Sequence, residues 1–110
     1  MSITASANTL VLSASITASL GNITHLALLN AGGEYLRKAY ESVTQLTTSK
    51  YQYLFYFTEV EGNDTIVGVE LEGNGSSLTL NDGTAFANQA LALVKTSSQS
   101  LTIVWTVELV

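Results

Sequence analysis

The sequence predicts an all-β protein, an antiparallel β-sandwich of jelly-roll type, and three observations carry that expectation. Apolar residues recur at every second position along most of the chain, the spacing of a strand with one buried face. Clusters of Gly, Asn, Asp and Ser break these runs every ~10–15 residues, as turns between strands do. Pro is absent from the 110 residues, which removes rigid linkers and leaves one domain as the natural organisation. A chain of this length buries roughly two thirds of its unfolded surface, enough for a core without staples. Cys is absent too, so disulfides and thiolate chemistry are excluded.

Residues 1–20, rich in Ser, Thr and Ala, read as an N-terminal arm or edge strand ahead of a sandwich domain over residues 21–110. The apolar part of the arm has no basic residue before it, unlike a secretory leader. "ITHLALL" (23–29) is a strand and "NAGG" (30–33) the turn after it. "GEYLRKAYESVTQL" (33–46) carries mixed signals. Glu34 and Lys38 stand four apart with Leu36 and Tyr40 on one side, which predicts a short helix near residues 34–41. Val43 and Thr44 then pull the segment into a strand. "YQYLFYFTEV" (51–60) is a strand whose Tyr51, Tyr53, Phe55 and Phe57 share one face. "EGND" (61–64) turns the chain into the strand "TIVGVELE" (65–72), where Gly68 predicts a bulge or a close backbone approach. "GNGSS" (73–77) is a loop, "LTL" (78–80) a short strand and "NDG" (81–83) a hairpin turn. "AFANQALALVK" (85–95) alternates as a strand, and "TSSQS" (96–100) is expected to join it as a hairpin to the closing strand "LTIVWTVELV" (101–110). The expected core is Leu26, Leu28, Tyr53, Phe55, Phe57, Ile103, Trp105, Val107 and Leu109, with the single Trp as its central plug.

The formal net charge is −5, from four basic and nine acidic residues, and only 12% of residues are charged. Arg37 and Lys38 are adjacent while Lys50 and Lys95 stand alone, so no basic stripe is available for nucleic acid. No apolar run approaches the ~20 residues that span a bilayer. So little charge implies that neighbours cover much of the surface, which predicts self-association as a homotrimer or another cyclic oligomer. Tyr56, on the face of its strand away from the core, and Tyr40 are candidate partner contacts, with Ile3, Leu10 and Leu12 of the arm.

Catalytic constellations are absent. His25 is the only imidazole, with no Cys or second His to build a zinc site and no G-x-S-x-G context for a nucleophile, so it reads as structural. Glu59, Glu61, Asp64, Glu70, Glu72 and Asp82 gather near turns without EF-hand spacing. They read as acids that solvate loops and block edge pairing. No catalytic, cofactor or metal residue is assigned, and no enzymatic activity is expected. Sequons at Asn22, Asn63 and Asn74 matter only in a glycosylating compartment. Exposed tyrosines stacking on sugar rings define the alternative of another class, a carbohydrate-binding module.

Three stretches in order, "ITHLALLNAGGEYLRKAYESV", "YLFYFTEVEGNDTIVGVEL" and "GTAFANQALALVKTSSQSLTIVWTVELV", resemble a module of tailed-bacteriophage tail, tail-fibre and baseplate proteins. Ile23, Thr24 and His25 match its "ITHIALG"-like opening. Arg37 with Lys38, Glu61 with Asn63, and Ile66 continue the match; Gly83, Thr84, Lys95, Thr96 and Trp105 close it. "VGVEL" (67–71) stands where the module has "EAGL" or "EVGL", and "LALLNAGG" (26–33) where it has "LALGTG". The resemblance implies a β-sandwich structural protein of the virion, made in the host cytoplasm and assembled in several copies in the tail, baseplate or fibre-attachment region. A capsid decoration (cement) protein on the head shell is the second placement.

Overall fold

The alternation becomes eight strands in the computed structural model, which describes residues 6–16, 23–73 and 83–109. They are β1 (Ser6–Ile16), β2 (Ile23–Asn30), β3 (Gly33–Ala39), β4 (Ser42–Thr47), β5 (Lys50–Phe57), β6 (Asp64–Gly73), β7 (Thr84–Lys95) and β8 (Gln99–Leu109). Two four-stranded sheets, ordered β1-β8-β5-β4 and β3-β2-β6-β7, pack face to face as a β-sandwich. The strand expected at 78–80, with its flanking residues 74–82, lies outside the described residues, as does Ile3.

Cross-strand pairs build the core. In the first sheet Tyr53 sits opposite Trp105, Phe55 opposite Ile103 and Phe57 opposite Leu101. All six are buried against Leu26, Leu28, Ile66, Val69 and Leu71 of the second sheet. The rings of Tyr51, Tyr53 and Phe55 stack along β5 at centroid distances of 6.5 and 6.4 Å. Leu10 and Leu12 of β1 lean on this same core, and Val11 between them faces outward, 75% exposed. Gly68 marks the expected irregularity, since the β6–β7 register shifts between Ile66 and Gly68.

Four expectations are corrected. No helix forms at 34–41: β3 runs antiparallel to β2 from Gly33 to Ala39. A bulge there explains why helix-like spacing misleads. Leu36 pairs with Leu28 and Glu34 with Leu29, so Tyr35 is the extra residue. Glu34 and Arg37, three apart, thereby reach the same sheet face, which a regular strand would forbid. Second, β7 and β8 are not a hairpin. The 96–99 turn closes with Gln99 N–H donating to Thr96 O at 3.1 Å, yet β7 pairs with β6 and β8 with β5 and β1. The turn is an arch between sheets. Third, β1 lies parallel to β8 along its whole length, so one pair of the sandwich is not antiparallel. Fourth, Leu109, the last residue of β8, lies outside the core and is 38% exposed, since burial along the strand ends at Val107.

The β3–β4 connection also crosses between sheets. Tyr40 N–H donates to Thr24 O in one sheet and Glu41 N–H to Leu54 O in the other, at 3.3 and 2.7 Å. This stitch places Tyr40 edge-on against Tyr53, with centroids 5.7 Å apart.

Candidate functional site

The two outer faces of the sandwich differ in kind. On the second sheet, the pairs Arg37↔Ala27 and Ala27↔Glu70 align one row across β3, β2 and β6, and His25↔Glu72 begins the next. Ala27, fully buried, puts only a methyl group between Arg37 and Glu70 in this row. Arg37 donates from Nε and Nη2 to the two oxygens of Glu34 at 2.7 and 3.0 Å, a bidentate pair. Nη2 also stands 3.9 Å from Glu72 Oε1. The carboxylates of Glu34, Glu70 and Glu72 come within 4.8 Å of one another. Arg37 and Glu72 are 3% and 4% exposed. Three acids and one guanidinium thus form a nest in which acids outnumber the cation, and Arg37 holds both oxygens of Glu34.

Glu70 and Glu72 therefore do not act as loop-solvating acids. Burial, then the charge of Glu70, pushes the Glu72 carboxyl up to about 7, with Arg37 pulling the other way and Glu34 adding to the rise. An acid raised on folding holds a proton that the unfolded chain has released between 4.5 and about 7. Its stabilising contribution is complete below the lower value and lost as pH rises through the upper one. His25 opposes this: burial, then Arg37, lowers its pKa below 6.5, so its contribution is present above that value and lost as pH falls. Because the Glu72 shift is the larger, the melting temperature should fall between about pH 5 and pH 8. Glu72→Gln should flatten that slope and His25→Asn steepen it, as thermal scans across the range will show. His25 itself shares a 2.8 Å hydrogen bond with the Thr24 hydroxyl, in keeping with a structural role.

A second polar assembly fixes the loop between β5 and β6. Lys95, read from the sequence as an isolated cation, is only 2% exposed and donates to Thr58 O and Asn63 Oδ1, each at 2.8 Å. Lys38 donates to Glu61 Oε1 at 2.7 Å, and the same oxygen accepts from Thr58 N–H at 2.8 Å. Lys38 Nζ also lies 5.9 and 5.7 Å from the ring centroids of Tyr56 and Phe57. Tyr35 OH reaches Gly62 O at 2.7 Å. Gly62 must be glycine: its φ is +68°, and a Cβ there would stand 2.7 Å from Leu28 Cδ1. These bonds hold Val60 outward at the loop tip.

Among the described residues, the outer face of the first sheet carries no such network. Register aligns Thr9, Thr102 and Tyr56 in one row, then Val11, Val104, Leu54 and Ser42, then Ser13, Thr106, Gln52 and Thr44. Three successive rows hold no charged side chain. Charge appears only in the next, where Lys50 faces Glu108 at 3.8 Å. Tyr56 belongs to this face and is half-buried, whereas Tyr40 lies at the sheet crossover, exposed. The sequence already contained the alternation, but only the strand order brings these neutral positions from four strands together. Arg37, Glu34, Glu72 and Lys95 were not legible as a buried set, because bulges and non-local pairing assemble them. No family model matches the chain, and neither a search of curated proteins nor one of solved structures finds a match.

Proposed function

We propose that this chain is a non-enzymatic structural protein of a tailed-bacteriophage particle, assembling in several copies in the tail, baseplate or fibre-attachment region. The observation that carries the reading is the neutral outer face of the first sheet, three rows wide with Val11, Val104 and Leu54 across its middle. A chain with a net charge of −5 repels its copies least where charge is missing. Thr and Ser flanking an apolar centre supply the mixed surface that protein partners bury. The order of its sequence stretches, which resembles the phage tail module, supplies the particle. The buried charges serve rigidity: they fasten bulges and loops rather than offering a substrate cleft.

Double substitution of Val104 and Leu54 by Glu tests the reading. The variant should keep its circular dichroism spectrum and lose incorporation into particles. Localisation of the wild-type chain in a particle reconstruction at the tail is the expected result. Density on the head shell alone would shift the placement to capsid decoration. Selective glycan binding lost on replacing Tyr40 or Tyr56, with no particle incorporation, would overturn the proposal.

A further inference from the structure

We infer that β4 is the seam between two copies of this chain, which join edge to edge by antiparallel pairing of β4 with its counterpart; the inference rests on the multi-copy reading above. Every residue from Ser42 to Thr47 is exposed, and only one side of the strand is paired, to β5. Open edges are commonly guarded by charge, by Pro or by a covering element. The edge strand β3 of the other sheet carries Lys38 as such a charge, whereas β1, the far edge of the sheet that holds β4, has none in eleven residues and departs from that rule. β4 does not follow it either. Residues 42–49, "SVTQLTTS", are eight in a row without charge or Pro. Val43 and Leu46 stand out from the strand at 39% and 47% exposure, and Tyr40 leads into it.

The charges that flank this neutral stretch choose the occupant and the direction. Glu41 precedes β4, and Lys50 sits beside its far end, in register with Thr47. In an antiparallel twofold pairing, Glu41 of each copy comes to the end of the seam beside which Lys50 of the other stands, on β5 and 3.8 Å from its own Glu108. Parallel pairing would instead set Glu41 against Glu41 and Lys50 against Lys50, a like-charge arrangement. Self-complementarity of one patch is what a twofold interface demands. The joint also extends the first sheet from four strands to eight, so the neutral outer face runs on across both copies.

Sedimentation velocity on the full chain over a concentration series tests this. Val43→Lys with Leu46→Lys should halve the assembled mass, with the circular dichroism spectrum unchanged because both positions are exposed. Glu41→Lys and Lys50→Glu should each weaken association about tenfold, and the double swap should restore it. Restoration by the swap is specific to the antiparallel seam. Association untouched by the two lysines would overturn the β4 seam while leaving multi-copy assembly standing. A wild-type chain that stays monomeric at its highest soluble concentration would overturn the seam as well, and particle incorporation would then decide the assembly reading on its own.

Discussion

Trp105→Ala is expected to destabilise the fold by about 3–5 kcal/mol, the range of large core truncations. Trp105 is 1% exposed, flanked within its sheet by Leu12 and Tyr53 and facing the apolar residues of the second sheet. Removing the indole empties the middle of the core, where backbone ladders on both sides resist collapse. At about 4–8 °C per kcal/mol for a small domain, the melting temperature should drop by more than ten degrees. Trp105→Phe should behave differently. The indole Nε1–H is buried with no hydrogen-bond partner among the described residues, an arrangement that costs about 1–3 kcal/mol. Phe deletes that orphan donor and leaves a smaller void, so its loss should stay below about 2 kcal/mol. Urea titrations of the two variants compare them directly. An unchanged melting temperature for Trp105→Ala would remove this residue from the centre of the core.

Arg37→Ala is the second large effect, about 3–5 kcal/mol near pH 8, the scale for breaking a buried ion pair from one side. The guanidinium side chain is fully buried, and its loss leaves Glu34, Glu70 and Glu72 clustered without their shared cation. Such a cluster relieves itself by taking up protons. The penalty should therefore shrink toward about pH 5, where Glu72, already raised to about 7, holds its proton in wild type and variant alike. Arg37→Lys should fall between wild type and Ala, since an ammonium keeps the charge and loses the fork that binds both Glu34 oxygens. Denaturation at the two pH values separates these outcomes. A loss that does not vary with pH would mean that Arg37 acts through packing alone.

The core was legible because alternation is local. Tyr53, Phe55 and Phe57 on β5 and Ile103, Trp105 and Val107 on β8 face inward as their parity requires. Leu26 and Leu28 do the same on β2. Parity fails at the bulges. Glu34 and Arg37 look like opposite faces of a strand or neighbours on a helix, and the extra Tyr35 makes them partners on a sheet. The i,i+4 spacing of Glu34 and Lys38 suggested a helix, but these two chose other partners. Glu34 binds Arg37, while Lys38 crosses to Glu61 on the far loop. Pairing energy from two sheets outweighs an isolated helical turn, whose nucleation is unfavourable and whose side-chain pairs add only ~0.2–0.5 kcal/mol each.

Periodicity and turn chemistry alone determined the all-β class, the positions of β2, β5, β6, β7 and β8, and the apolar side of the central ones. Strand partners were decided only in three dimensions. "TSSQS" looks like a hairpin turn because a short polar link says nothing about which sheet receives the next strand. β8 crosses to the other sheet, where β5 and β1 flank it on both edges and Trp105 is covered from above. The same non-local choice creates the charged nest on one face and the neutral field on the other. Residue type is a property of the chain, whereas burial and partnership belong to the strand order that folding selects.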